Sequence, residues 1–330
     1  MIETDTMRLR TLDLFCGGGG SSLGAQVAGA EIVCGIDAWD IASQTYKANF
    51  PNAAAPNVTL GEKSSPVDLG LDLGDINLIL ASPECTNHTC AKGNAPRNEN
   101  SKRTARYLLN FARVLSPRWM VLENVVHMRK WDGYDPLVAE LGALGYYVRR
   151  QVLDAGSFGV PQTRRRLFLL CDRERMPDEV PLPFGSVTKT ARDILDPPGT
   201  WSSRPLYRDG RAVNTIARAE RAMQDLGRGK DFLIVYYGSD GSGGWQALDK
   251  PIRTLTTLDR FGLVTWNADT PMLRMLQVPE LKRAMGFCGK LDHGCRRDRI
   301  MLLGNGVCPP VMTAIVRSLT APAVMAAAAE

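Results

Sequence analysis

Asp13-Leu14-Phe15-Cys16-Gly17-Gly18-Gly19-Gly20 decides the reading of the fold. Residues 10–15 carry a strand pattern, the glycines form a loop, and residues 21–28 carry helical spacing. Together they make a strand–loop–helix unit. Glycines let the backbone approach a bound ligand, and a helix N-terminus favours negative charge. A second apolar strand over 31–36 ends at Asp37, where a carboxylate can accept ribose hydroxyls. A nicotinamide cofactor would suit the same geometry, and so would a plain tight turn with a helix cap. The glycine spacing is not the dinucleotide Gly-x-Gly-x-x-Gly form.

Outward from this unit, strands and helices alternate. A helix is predicted over 41–50, a buried strand over 76–81 and a helix over 104–115. Strands follow at 119–122, 147–153 and 166–170, with a helix at 136–144. Such alternation predicts an α/β fold, a doubly wound and mostly parallel sheet covered by helices on both faces. The character changes after Cys171, where six prolines interrupt the chain between Pro177 and Pro205. Short aromatic and β-branched runs at 232–237 and 252–257 suggest small strands between loops. Helical patterns return at 279–285 and 310–319. The expected plan is a catalytic and cofactor-binding domain at 1–172, a smaller strand-rich domain at 173–271, and a return to the first domain at 272–330.

The chain has 330 residues, enough for one large domain and a smaller one. A net charge of +5 suits a polyanionic partner but does not by itself establish one. Eight cysteines form no Cys-x-x-Cys pair, and there are three histidines, so no metal site is expected. The N-terminus has no apolar signal core, and no run is expected to span a membrane. A cytoplasmic location follows as the expectation.

Chemistry concentrates at three further places. Ala81-Ser82-Pro83-Glu84-Cys85 leaves a buried strand and enters a polar loop that runs to Ser101. A strand C-terminus in this fold opens onto the active-site crevice, so a thiol there is placed to react. Glu123-Asn124-Val125 puts a carboxylate at another strand end. Gln162-Thr163-Arg164-Arg165-Arg166 supplies a guanidinium cluster, and strand alternation would set Arg164 and Arg166 on one face. Taken one at a time, these are inert packing, a turn cap and a solvated basic patch.

In their order, these motifs resemble the cytosine-C5 DNA methyltransferase family. Asp-Leu-Phe-x-Gly, Pro-x-Cys, Glu-Asn-Val and Gln-x-Arg-x-Arg occur in sequence. Arg274-Met275-Leu276 with Pro279–Phe287 resembles a late structural motif, and Gly304-Asn305-Gly306-Val307 the last one. The resemblance covers residues 11 to 319 apart from the variable segment. It implies a methyltransferase domain of Rossmann-like form, with a recognition domain inserted before the C-terminal return. It implies S-adenosylmethionine as cofactor and S-adenosylhomocysteine as product. Phe15 would lie against the adenine and Asp37 on the ribose. Gly17, Gly19, Gly20 and Asn305 would complete the pocket. A further acidic contact stays open among Asp68, Asp72 and Asp75.

The resemblance further implies that Cys85 adds to C6 of a flipped-out cytosine in double-stranded DNA, with Glu123 on the base edge. Arg164 and Arg166 would donate to the base carbonyl, the catalytic loop or phosphate. Glu84 stands where the family usually has a second proline, which loosens the loop and sets a carboxylate beside the thiol. A transfer-RNA cytosine methyltransferase is one alternative, although its Cys-Phe-Thr signature is absent. A catalytically silent DNA-binding relative is the other. Expected partners are duplex DNA, with location at the nucleoid, and a cognate restriction endonuclease. The expected state is a monomer.

Overall fold

The computed structural model describes residues 9–84, 103–185, 187–237 and 244–322. The chain divides into two compact units. One comprises Met1–Leu153, Arg165–Leu182 and Pro309–Glu330, and the other Asp154–Arg164 and Pro183–Cys308.

The first unit is the expected α/β sheet. In chain order it holds β1 (Arg10–Leu14), α1 (Gly20–Val27), β2 (Glu31–Ile36), α2 (Asp40–Asn49), β3 (Leu78–Ala81) and α3 (Leu108–Leu115). Then come β4 (Trp119–Val125), α4 (Tyr134–Ala143), β5 (Tyr147–Asp154) and β6 (Arg165–Asp172). The strand order is β2-β1-β3-β4-β6-β5. Pairing is parallel from β2 through β4 and antiparallel between β4 and β6. β3 is Leu-Ile-Leu-Ala with all four residues buried, the continuous apolar run of a strand covered on both faces. Leu12, Leu14, Ile36, Ile79 and Leu122 join it in one core. α3 buries Leu108, Leu109, Phe111 and Ala112, an apolar stripe at helical spacing.

The chain end closes this unit. Helix Pro309–Thr320 lies so near α1 that a Cβ on Gly24 would sit 2.4 Å from the Pro309 carbonyl oxygen. Thr313 Oγ1 donates to the Gly24 carbonyl at 2.9 Å. By length and composition, Arg296–Thr320 is apolar enough to cross a membrane, where the sequence reading expected no such run. A core helix passes the same test, and 67% of the most apolar window is buried. The helix also breaks between Asn305 and Pro309.

The second unit is strand-rich and antiparallel. Its elements are β7 (Arg204–Pro205), α5 (Val213–Leu226), β8 (Phe232–Val235), β9 (Trp245–Ala247), β10 (Phe261–Asn267) and β11 (Thr270–Met275). The sheet order is β7-β11-β10-β8-β9. Ala219, Ala222 and Met223 of α5 pack on Phe232, Ile234, Val264 and Leu273. Helices α6 (Val278–Ala284) and α7 (Arg296–Asn305) follow. Glu280 of α6 is buried, takes both terminal nitrogens of Arg274 at 2.6 and 2.8 Å, and caps its own helix through the Gln277 amide. That bidentate pair explains the Arg274…Glu280 spacing.

One predicted strand is absent. Residues 252–257 form no ladder beyond a single bridge between Gln162 and Ile252. Their backbone groups serve side chains instead. The Leu255 amide donates to Gln162 Oε1 at 2.8 Å, and the Thr254 carbonyl accepts from the Tyr237 hydroxyl at 2.7 Å.

Candidate active site

β1 and β3 are sheet neighbours although β2 and α2 lie between them in sequence. The strand order reverses there, and in open α/β sheets ligands bind outside the strand carboxyl ends at such a point. The glycine loop leaves β1 at this end. Phe15 has φ 59°, a left-handed conformation that a bulky residue rarely adopts and that functional loops retain. Gly19 has φ 89°, and a Cβ there would meet the Phe50 ring at 2.6 Å. Gly17, at φ 52°, has open space on its Cβ side, and Gly20 opens α1.

Asp37 ties β2 to this loop. Its Oδ2 accepts from the Gly17 amide at 2.9 Å and its Oδ1 from the Trp39 amide at 2.9 Å. Burial nonetheless holds its carboxyl above the usual range. Each oxygen keeps a lone pair for a ligand hydroxyl. The open face of Gly17, the α1 N-terminus and a half-buried acceptor therefore fit an adenosyl amino acid. Trp39 was missed by the sequence reading. It is half-buried two residues after Asp37, and an aromatic beside the acidic strand end was the signal available.

Of the three open acidic positions, all are exposed. Asp68 accepts from Ser65 Oγ at 2.5 Å. The Asp75 carbonyl accepts from Arg10 Nε at 3.1 Å, at the end of β1 away from the glycine loop.

The thiol strand meets the loop strand. The Ser82 amide donates to the Leu14 carbonyl at 3.1 Å, and Ser82 Oγ lies 3.4 Å from Ser21 Oγ on α1. Buried Asn124 Nδ2 donates to the Pro83 carbonyl at 3.3 Å. The middle residue of Glu-Asn-Val thus holds the backbone two residues before Cys85. Glu84 is exposed. Cys85, Cys90 and the polar loop to Ser101 lie outside the described residues.

Glu123, only 6% exposed, pairs with Arg166. Arg166 Nε lies 3.1 Å from Glu123 Oε1. Antiparallel register sets Arg166 opposite Val125 and Phe168 opposite Glu123, so the pair is diagonal. β6 runs antiparallel to β4, which brings its first residues to the carboxyl ends of the other strands. Phe15, Gly17, Gly19, Gly20, Asp37, Pro83, Glu123 and Arg166 therefore share one end of one sheet.

Arg164 and Asn305 belong to the second unit. The sequence reading placed Arg164 on the strand face of Arg166, but β6 begins at Arg165 and the unit boundary falls between Arg164 and Arg165. Arg164 is 3% exposed. Its guanidinium donates to the carbonyls of Leu255 at 3.1 Å, Gly304 at 2.8 Å and Gly306 at 2.9 Å. It clamps the segment that carries Asn305. Gly304 itself can carry no side chain, since a Cβ would lie 2.3 Å from the Thr256 carbonyl oxygen. Arg164→Met should therefore cost about 3 kcal/mol or more, because two buried carbonyls and one part-buried carbonyl lose a charged donor. Urea unfolding checks this, and a variant as stable as the parent would contradict it.

A cavity of about 660 Å³ lies elsewhere on the first unit, lined in part by Arg106, Asn110, Arg113, Trp131 and Glu140. Both arginines are paired with Glu140, and none of the candidate residues line it. The strand ends, where the charged groups converge, carry the functional reading. Among the described residues, no group of three or more His, Cys, Asp or Glu is placed to hold a metal ion.

Over residues 9–321 the chain matches the family described as C-5 cytosine-specific DNA methylase. It is 35% identical over 168 residues to Type II methyltransferase M.HgiDI of Herpetosiphon aurantiacus, covering 50% of this chain and 52% of that protein. It is 29% identical over 226 residues to Type II methyltransferase M.AgeI of Thalassovita gelatinovora, covering 66% of this chain and 51% of that one. The chain thus spans about half the length of these relatives. Among solved structures, S. pombe Dnmt2 methyltransferase matches with a TM-score of 0.68 at 21% identity, over 94% of this chain and 98% of that one. Entamoeba histolytica methyltransferase EhMeth gives 0.65 at 15% identity, also over 94% and 98%. The two structures share the fold.

Proposed function

The chain belongs to the C-5 cytosine-specific DNA methylase family, and from that premise we propose that it methylates C5 of cytosine in a specific sequence of double-stranded DNA. The observation that carries the reading is the buried Glu123–Arg166 pair at the sheet end that also holds the glycine loop and Pro83. When bound, S-adenosylmethionine supplies an electrophilic methyl carbon. Phe15, Gly17, Gly19, Gly20 and Asp37 are the residues that would hold it.

The chain's own residues would act as follows. The target cytosine leaves the duplex stack, since its C6 is unreachable inside it. The Cys85 thiolate adds to C6, and the electron pair of the C5–C6 bond becomes available at C5. Glu123 holds a proton or hydrogen bond at N3 and so stabilises the charge that reaches the ring. Arg166 holds Glu123 in place and can donate to the base carbonyl. Once C5 is methylated, a base takes the C5 proton, the C5–C6 double bond re-forms, and the Cys85 sulfur leaves. Asn124 keeps the Pro83 backbone fixed two residues before the thiol.

We assign sequence reading to the segment 173–271, which holds α5 and most of the antiparallel sheet, their shared core also taking in Leu273 of β11. Replacing it with the segment of a relative of different specificity should move the methylated site with it. Retention of the original site by the chimaera would place base reading elsewhere. The named relatives are Type II methyltransferases, which supports a role in restriction–modification with a cognate endonuclease. The chain would act as a cytoplasmic monomer on nucleoid DNA. Methylome sequencing of DNA from cells that express the chain tests the function. One recurrent sequence carrying 5-methylcytosine is expected, and DNA free of it would overturn the reading.

A further inference from the structure

We propose that Asp13 is a proton-linked positioning residue beneath the cofactor loop, which gives up its proton when a sulfonium cofactor binds and keeps it when the neutral thioether product binds. The proposal rests on the cofactor reading above and goes beyond it.

Asp13 lies on β1, two residues before Phe15, and is 0% exposed. Its Oδ2 accepts from Ser22 Oγ of α1 at 2.7 Å. Ser22 Oγ lies 2.7 Å from the Tyr46 hydroxyl of α2. Ser22 has one proton and donates it to Asp13, so Tyr46 must donate to Ser22. The chain of hydrogen bonds runs one way, from α2 through α1 into the carboxyl. Asp13 Oδ1 has no hydrogen-bond partner among the described residues. A fully buried carboxylate oxygen without a partner is costly unless something compensates its charge.

Among the described residues, no cation acts on Asp13. β2 contributes Asp37 and Cys34, the loop contributes Cys16, and α2 contributes Tyr46. Burial pushes Cys34 up to about 12 and raises Cys16 and Tyr46 well above their usual values, so these three stay neutral at ordinary pH. Asp37 is the remaining charge, and it is negative. In sheet register Asp13 faces Gly35 and Leu80, neither of which titrates. Burial chiefly, with Asp37 adding, pushes the Asp13 carboxyl up to about 7. The same side chains hold the loop. Tyr46 fills the space beside Gly19 and Gly35, where a Cβ would come within 3.2 and 2.2 Å of its ring. The carboxyl is therefore mechanically joined to the cradle whose ligand would compensate it.

The two forms of the cofactor differ by one methyl group and one positive charge. A positive charge in the cradle favours ionised Asp13, and by linkage ionised Asp13 favours the positive ligand. The sulfonium form should therefore bind more tightly as pH rises through about 7. The thioether form should lack this dependence, so the preference for cofactor over product grows with pH. The same linkage acts on folding. The folded carboxyl holds its proton up to about 7 against 3.8 when unfolded, so the parent loses stability as pH rises across that window. An Asp13→Asn variant should not.

Isothermal titration of the parent chain near pH 7 in two buffers of different ionisation enthalpy decides the matter. S-adenosylmethionine should release protons and S-adenosylhomocysteine should not. Between pH 6 and 8 the affinity ratio of the two should rise on the order of fivefold. Asp13→Asn should bind both, with that release and the rise lost and with a melting-temperature advantage over the parent that grows with pH. Tyr46→Phe keeps the carboxyl and should keep the proton release. Equal release by both ligands, or a ratio flat in pH, would overturn the proposal from the parent chain alone. Undiminished release in Asp13→Asn would overturn it too, and move the titration to Asp37. Failure of the parent to bind either ligand would overturn the cofactor reading and this proposal with it.

Discussion

Cys85→Ser should abolish methyl transfer, with a loss on the order of 10³-fold or more, and leave cofactor binding nearly unchanged. A serine hydroxyl is far less ionised than a thiol near neutral pH. The glycine loop, by contrast, is held by Asp37, Tyr46 and the start of α1, none of which needs the thiol. The backbone leading to Cys85 is fixed by the Ser82 amide on Leu14 and by Asn124 on Pro83, so the substitution leaves the strand end in place. Methyl incorporation into duplex DNA and cofactor titration, run side by side, check both halves. Substantial turnover by the serine variant would place the nucleophile elsewhere, with Cys90 the nearest candidate.

The second large effect is expected at Glu123. Glu123→Gln should slow the chemical step by ~10²-fold or more and leave DNA affinity almost unaltered. Glutamine keeps the size and one acceptor oxygen but cannot hold and return a proton at N3. It also leaves Arg166 Nε facing a neutral amide, at a position where the arginine is only 15% exposed. Arg166→Lys should produce a smaller loss, since an ammonium keeps the charge but loses the planar fork. Single-turnover rates at saturating DNA separate chemistry from binding. Collapse of DNA binding with intact turnover at saturation would make Glu123 a structural residue.

Much of the first unit was legible because its strands are buried on both faces. Leu78–Ala81 and Trp119–Val125 carry near-continuous apolar runs, and the glycine loop marks where β1 ends. The second unit was less so. α5 went unseen because three of its four buried positions, Thr215, Ala219 and Ala222, are small residues that give little apolar signal beside Met223. The run at 252–257 has strand composition, but its amides and carbonyls are used by Gln162, Arg164 and Tyr237. Two of these partners, Gln162 and Arg164, lie over 90 residues away in sequence and leave no local pattern.

The site shows the same division. Phe15, Asp37, Glu123 and Arg166 stand at strand ends that periodicity could find. Arg164 could not be separated from Arg166 by alternation, because the strand begins between them. Asn124 looked like filler between Glu123 and Val125, yet its side chain reaches the Pro83 carbonyl across 41 positions of sequence. Ser22 and Tyr46 read as ordinary helix residues, and only packing shows that they line up on Asp13.

The central claim is that Cys85 forms a bond to C6 of a flipped cytosine while the ring is methylated at C5. Incubating the chain with S-adenosylmethionine and duplex DNA carrying 5-fluorocytosine at the methylated site tests this most directly. Fluorine cannot leave C5 as a proton does, so the sulfur stays bound after methylation. A denaturation-resistant protein–DNA adduct is expected, with the peptide bearing Cys85 as the point of attachment and no adduct in Cys85→Ser. No adduct from a folded, cofactor-binding parent, or an adduct through another residue, would contradict the account.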